Sequence, residues 1–348
     1  MKRAKARYRD NDFIRKTKNR GNKGTEAVSR SKVLGIGVWN MNGKSVRGME
    51  DVTSAVQDQN ISVMCLVETH VRKEDRKGPV IEGFDTHQAC REGGDKKGGG
   101  LAILTKKATG LAFSRYAPRI VNPSLSYVNT ERLWITYGSQ LGKSAICCVY
   151  LGFHSDDGRH VEHNKGIYKV LSEEIYTLRG KGFRIILQGD FNAWVGSDLL
   201  QGGIPGNRHK TNSSGEAFKE FLAANSLVHV NGACRVPGDW STRISKGLWT
   251  CHGPNYVSAS VLDYVVVSTE HLDTVTEMVI DEWGKLGGGS DHNMIMTKVK
   301  DGFLLRSCFK GGGNSRPGWD IDEDQDWKKY KSVVSQEIEA LGRDDESV

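Results

Sequence analysis

The sequence predicts an α/β protein of two packed β-sheets with helices on the outside. Three observations carry that expectation. Many short apolar runs have strand length and little polar alternation, as strands covered on both faces do. Few helical patterns lie between them, too few for every strand pair to be a βαβ unit. Glycine is abundant (41 residues) and proline scarce (7), which suits tight turns between many elements.

Taken in order, residues 33–39 (VLGIGVW) read as the first buried strand. Residues 47–59 form a helix with Met49, Val52, Ala55 and Val56 on one face. Residues 61–67 (ISVMCLV) read as a second buried strand, followed by strands at 100–104, 132–137, 144–151, 184–189, 261–267 and 293–299. Helices are expected over 164–179, where Val170, Leu171, Ile175 and Leu178 share a face, and over 214–225. Residues 301–318 are Gly-rich and break the pattern, and Trp319 opens an amphipathic helical stretch with an acidic lead-in. The expected domain therefore covers 33–300, between a basic arm (1–32) and a C-terminal appendage (301–348).

Charge is unevenly spread. Residues 1–32 hold twelve Lys/Arg against Asp10, Asp12 and Glu26, so the arm carries +9 and the remainder −2 of the formal +7. With almost no apolar residues the arm is expected to be disordered. It suits any polyanion, including a nucleic-acid backbone, and equally a localisation signal or a solubilising tail. No run of about 18 apolar residues exists, so no membrane span is expected. Seven cysteines, an odd number and without a CxxC pair, read as reduced thiols of an intracellular protein.

The functional signal lies in what each strand delivers at its end. VLGIGVWN runs into Asn40 and Asn42, ISVMCLVE into Glu68, AICCVY into Tyr150, and FRIILQGDFN into Asp190 and Asn192. VLDYVVV opens with Asp263, and GGGSDHNMIM sets Asp291 and His292 before the last strand. Sheet proteins gather ligand sites at such edges. Each residue alone has an ordinary explanation: a Glu after a strand is usually solvated, and a Tyr is usually packing. The set does not. Two carboxylates about 4 Å apart repel by about 4 kcal/mol at an effective dielectric near 20, so four acids at one edge require a cation or shared protons. Oxygen donors without cysteine point to a hard ion, Mg2+ or Mn2+, and hard ions accompany phosphate substrates. His292 could stabilise charge building on phosphorus, with a carboxylate from across the site as its partner.

The pieces WNMNG (39–43), VETH (67–70), GGGLAIL (98–104), VY (149–150), GDFN (189–192), SVLDYVVVS (260–268) and SDH (290–292) resemble, in order, the endonuclease/exonuclease/phosphatase superfamily. The resemblance implies a four-layered α/β sandwich that cleaves phosphoesters with Mg2+ or Mn2+. ETH, GDFNAWVG and residues 212–232 look like the apurinic-like endonuclease domain of LINE-type non-LTR retrotransposons and their domesticated relatives.

By that resemblance Glu68 is the principal metal ligand, assisted by Asn40 and Asn42, with Asp291 supporting the metal side. Asp190 orients or deprotonates the attacking water. Asn192 holds the scissile phosphate and Tyr150 binds or polarises it. Asp263 keeps His292 charged, and His292 stabilises the transition state. The family's proline shortly after the tyrosine is replaced here by YLGFHSDDG, which puts the placement of Tyr150 in question.

The implied reaction is hydrolysis of double-stranded DNA to 3′-hydroxyl and 5′-phosphate ends, in the nucleus. Element RNA or a reverse transcriptase would engage the C-terminal segment, which resembles the linker preceding such enzymes. The segment 250–260 corresponds to a hairpin that reaches into a DNA groove, making His252, Asn255 and Tyr256 candidate groove contacts; Arg91, Lys96, Lys97 and Arg115 are candidate phosphate contacts. The same core also serves abasic-site repair, phosphoinositide phosphatases, sphingomyelinases and deadenylases, and the fold could persist as a non-catalytic nucleic-acid-binding module.

Overall fold

The computed structural model describes residues 33–300 apart from 44, 72–77, 91–98, 119–122, 140–141, 153–158, 199–202, 205–206, 208, 232–244, 247, 254–257 and 282–289. The basic arm, the C-terminal appendage, Arg91, Lys96, Lys97, Asn255 and Tyr256 lie outside the described residues.

Strand β1 (Val33–Asn40) is followed by helix α1 (Ser45–Asp58), β2 (Val63–Val67), β3 (Phe84–Ala89) and β4 (Leu101–Lys106). Next come β5 (Ser114–Tyr116), β6 (Arg132–Ser139), β7 (Gly142–Tyr150), α2 (Arg159–Gly180) and β8 (Phe183–Asp190). The chain continues through α3 (Ser213–Ala224), β9 (Leu227–His229), β10 (Ser245–Lys246), β11 (Cys251–His252), β12 (Ala259–Ser260), β13 (Asp263–Ser268), β14 (Val275–Ile280) and β15 (Ile295–Lys300).

Among the described residues these strands make a seven-stranded sheet in the order β10-β14-β15-β1-β2-β4-β3 and a six-stranded sheet in the order β5-β6-β7-β8-β13-β9. A separate two-stranded ribbon pairs β11 with β12. Both large sheets are mixed, with β1–β2 and β7–β8 parallel within otherwise mostly antiparallel ladders.

Period-two alternation sorts the strands into layers. Leu34, Ile36 and Val38 of β1, Val63, Cys65 and Val67 of β2, Ile146 and Cys148 of β7, Ile186 of β8, and Val265 and Val267 of β13 form one core between the sheets. The opposite parity faces the helices. Trp39, Met64 and Leu66 pack with Val52, Ala55 and Val56 of α1. Cys147, Val149, Ile185, Leu187, Tyr264 and Val266 pack with Ile167, Leu171, Ile175 and Leu178 of α2 and Phe218 and Leu222 of α3. The result is the expected four layers, helix–sheet–sheet–helix.

Polar groups fix the outer helices. Asn212 caps α3 by accepting the Gly215 N–H at 2.8 Å from an extended backbone. Glu174 of α2 reaches down to β6, where its carboxylate accepts from Arg132 Nε (2.9 Å) and Nη2 (2.5 Å) and from Trp134 Nε1 (2.7 Å). This pair is buried and satisfied on both sides, the condition under which a buried charge is tolerated.

Candidate active site at the shared sheet edge

Register places the site. Asp190, the last residue of β8, pairs across the parallel ladder with Tyr150, the last of β7, and across the antiparallel ladder with Asp263, the first of β13. Asp190 and Asp263 continue the inward-facing parity of Ile186 and Val265, so both carboxylates point toward the other sheet. From that sheet Asn40 arrives with the inward parity of Ile36 and Val38, at the end of β1 and opposite Val67 at the end of β2. Glu68 follows Val67 and has the wrong parity to join them. Its left-handed backbone, φ 51°, breaks the alternation.

Asn40 ties the acids together. Its Nδ2 donates to Glu68 Oε1 at 3.1 Å and to Asp190 Oδ2 at 3.0 Å, while its Oδ1 accepts the Asn42 N–H at 3.0 Å. Carboxylates on one side and an N–H on the other leave only one sensible amide orientation. Asn42, at φ 44°, donates through Nδ2 to Asp291 Oδ1 at 3.0 Å.

Asn192, at φ 46°, turns back on Asp190: its backbone N–H donates to Oδ1 at 2.9 Å and its Nδ2 to Oδ2 at 3.2 Å. The same Nδ2 donates to Leu151 O at 2.8 Å. Both amide hydrogens of Asn192 are therefore spent on the protein, and this side chain braces Asp190.

His292 Nδ1 lies 2.8 Å from Asp263 Oδ2, so with a carboxylate partner Nδ1 carries the proton and Nε2 faces Asp190 Oδ2 at 4.0 Å. The loop around it is pinned. Trp39 Nε1 donates to His292 O at 2.9 Å, and Ser290 Oγ donates to Asn40 O at 2.7 Å and accepts the His292 N–H at 3.1 Å. The backbone N–H of Asp263 donates to Thr250 Oγ at 3.0 Å.

Electrostatics follow from this packing. Asp190 and Asp263 are each only 1% exposed. Burial first, then the neighbouring Asp263, pushes the Asp190 carboxyl up to about 8, although His292 and the Asn192 N–H oppose the rise. His292 is held well above its usual value: burial works against the charge, and Asp263 outweighs it with charge and hydrogen bond, helped by contacts with Cys251 and Asp190. The edge thus carries a surplus of buried acid that a cation would neutralise. Apart from the His70 imidazole, 3.3 Å from Glu68 Oε2, its donors nearest Glu68 are oxygen or amide groups. They fit a hard divalent ion held by the Glu68 carboxylate, with Asp291 and the carbonyl oxygens of Asn40 and Asn42 within the same network.

The structure therefore brings together Asn40, Asn42, Glu68, Tyr150, Asp190, Asn192, Asp263, Asp291 and His292. Tyr150 is half-buried and its ring packs on the inter-sheet core. The ribbon β11–β12 lies against the site: His252 N–H donates to Asp291 O at 2.7 Å, and its Nε2 is 3.0 Å from Asn293 Nδ2. Arg115 stays apart. It sits on edge strand β5 opposite Ile135, which pairs with Ile146, well short of the strand ends that carry the cluster.

Sequence reasoning passed over His70, whose Nε2 meets Glu68 Oε2 at 3.3 Å from a φ of 53°. It also passed over Thr250, Ser290 and Cys251. His70 and Ser290 stand in the quoted VETH and SDH pieces, so a signal was present; Thr250 and Cys251 act through contacts between distant loops, which spacing does not reveal.

Fold and edge together define a hydrolase of phosphate esters. The chain belongs to the endonuclease/exonuclease/phosphatase family, whose model matches residues 37–292. No curated protein matches it by sequence. Among solved structures it is similar to the endonuclease domain of TRAS1, a telomere-specific non-LTR retrotransposon (TM-score 0.51, 16% identity, 77% of this chain and 98% of that one). It is also similar to the catalytic domain of APE2 from Xenopus laevis (0.59, 15%, 79% and 95%) and to the AP endonuclease LMAP from Leishmania major (0.57, 14%, 78% and 88%). No helix among the described residues is long and apolar enough to cross a membrane.

Proposed function

We propose that the chain is a Mg2+-dependent DNA endonuclease that leaves 3′-hydroxyl and 5′-phosphate ends, the target-nicking domain of a LINE-type retrotransposon. The observation that carries this is the meeting of Glu68 and Asp190 on the Asn40 amide, with the paired Asp263 and His292 beside Asp190, His292 Nε2 lying 4.0 Å from its Oδ2. When bound, Mg2+ or Mn2+ supplies Lewis-acid stabilisation of charge on the phosphate oxygens, with Glu68 as its main ligand and Asp291, Asn40 and Asn42 in support.

The protein's own groups do the rest. Asp190, braced by Asn192 and Asn40, receives the proton of the attacking water once the cation's charge favours its ionised form. Asp263 keeps His292 protonated, and the Nε2–H donates to a phosphate oxygen as its charge grows. Tyr150, next to Asp190 across the ladder, contacts the same phosphate from the β7 side. The β11–β12 ribbon reads the groove through His252, and Asn255 and Tyr256, which follow His252 in the sequence, are the further groove contacts. Reverse transcriptase or element RNA would engage residues beyond 318.

Supercoiled plasmid incubated with the chain, with Mg2+ or with chelator, tests the reading. Mg2+-dependent relaxation whose nicks DNA ligase reseals is expected, since ligase joins only 3′-hydroxyl to 5′-phosphate. Absence of nicking, with release of phosphate from a lipid head group or shortening of poly(A), would overturn it. The fold shared with AP endonucleases makes the abasic duplex the second substrate to test. Strong preference for it over intact DNA would favour repair chemistry.

A further inference from the structure

Beside the hard-ion site the structure holds a second set of ligand atoms, of different chemistry. Cys251, Asp291 and His292 place a thiol, a carboxylate and an imidazole within 4.8 Å of one another. Cys251 and His292 are joined as partners of an isolated antiparallel bridge, and the next N–H along, that of His252, donates to Asp291 O at 2.7 Å. Backbone pairing thus fixes the spacing of the three side chains. Asp263 occupies His292 Nδ1 at 2.8 Å, leaving Nε2 as the nitrogen for a metal. A carboxylate behind the far nitrogen is the arrangement that orients and strengthens metal-bound histidines.

We infer that Cys251, Asp291 and His292 form a binding site for a borderline-soft divalent ion, Zn2+ above all, and that Zn2+ there silences the Mg2+-dependent reaction. Thiolate with imidazole selects zinc over magnesium, and three protein ligands with one position open to water is a common zinc coordination. Binding displaces two protons to solvent, one from the Cys251 thiol and one from His292 Nε2. Cys251 is half-exposed and able to take a metal, whereas burial pushes the Cys147 and Cys148 thiols well up and out of use. The inhibitory half of the inference rests on the proposed role of His292: a zinc-bound Nε2 has no proton to donate to phosphate. Asp291, proposed to support the Mg2+ side, is drawn off at the same time.

The test uses the full chain, stripped of metal and reduced with a phosphine. Zn2+ uptake is followed by equilibrium dialysis, and thiolate ligation by the near-ultraviolet charge-transfer band of Co2+. Wild type is expected to bind one Zn2+ that Mg2+ does not displace. Cys251→Ser should weaken uptake at least about tenfold and abolish the Co2+ band, Asp291→Asn should weaken uptake, and Cys90→Ser should change neither. Plasmid nicking at saturating Mg2+ should be inhibited by Zn2+ in wild type, and Cys251→Ser should tolerate at least about tenfold more. Equal Zn2+ affinity and an unchanged Co2+ spectrum in Cys251→Ser would overturn the site. Cys251-dependent uptake by a chain that never nicks DNA would leave the site standing and remove the proposed function; nicking with Cys251-independent uptake would do the reverse.

Discussion

Asp263→Asn isolates the charge that holds His292. The site gives the substitution little room to act by other means: residue 263 is buried, its backbone is laddered to β8, and its N–H is held by Thr250 Oγ at 3.0 Å. The asparagine keeps the shape, and its oxygen can still accept from Nδ1. What is lost is the difference between a charge-assisted bond, worth about 1.5–3 kcal/mol, and a neutral one of about 0.5–1.5 kcal/mol. A difference of about 1–2 kcal/mol corresponds to roughly five- to thirtyfold in kcat/KM if His292 donates in the transition state.

The pH profile is the sharper readout. Asp263 raises His292, so removing its charge lowers the imidazole's pKa and brings the alkaline decline of activity to lower pH. Asp263 also raises Asp190, so the acidic rise moves in the same direction. The whole bell should therefore slide toward acid, and the defect should be larger at alkaline than at acid pH. Initial nicking rates at fixed Mg2+ across about pH 5.5 to 9 measure this. A uniform loss at every pH, or a slide toward alkali, would refute the assignment of Asp263 as the imidazole's counter-charge.

Asp190, whose folded value of about 8 exceeds its ordinary 3.8, should make the metal-free protein lose stability as pH rises between those values, because the unfolded chain gives up that proton first. Thermal melts in EDTA should show this fall, Mg2+ should reduce it, and Asp190→Asn should flatten it. Glu68→Gln should abolish nicking at ordinary Mg2+ while leaving the melting temperature in EDTA unchanged or higher, since it removes one of the mutually repelling acids; both are read on one preparation. Gly189→Ala should cost about 3 kcal/mol or more, because its Cβ would lie 1.9 Å from Val149 O in the β7–β8 ladder, and denaturant titration measures it. Glu174→Gln, remote from the site, should cost about 3–5 kcal/mol by stranding the buried Arg132, with little change in kcat for the folded fraction.

The elements legible in the sequence were those buried on both faces. β1, β2, β7, β8 and β13 are apolar nearly end to end, and their expected limits differ from those observed by a residue or two. The sheet edges were not legible. β3, FDTHQA, buries only Ala89, and β14, VTEMVI, mixes half-buried and buried positions without a clean period. β5 and β9 through β12 are two or three residues long, too short for any pattern to accumulate. Their pairing comes from neighbours already in place. The site was read through its side-chain chemistry, because acids at strand ends stand out against apolar runs. Asn192 shows the limit of that route. Its residue type suits a phosphate contact, and only the positions of Leu151 O and Asp190 show that its donors are already engaged.

Strand parity alone cannot build this site. Alternation brings Asn40, Asp190 and Asp263 inward, but it would send Glu68 and the residues just past Asn40 and Asp190 to the wrong places. Six non-glycine residues among those described have positive φ, and four of them are Asn42, Glu68, His70 and Asn192. Such a backbone costs an L-residue about 1–2 kcal/mol, least for asparagine. At Asn42 and Asn192 the side chain suits the turn. Glu68 and His70 have no such excuse, and their cost is met by the fold around them: Gly43 N–H donates to Glu68 O at 2.9 Å, Thr69 and His70 N–H to Gly100 and Gly99 O, and a Cβ at Gly43 would collide with the His70 ring. The local conformation is thus held in opposition to residue preference where the acid must turn inward, which is how strain accumulates at functional sites and seldom elsewhere.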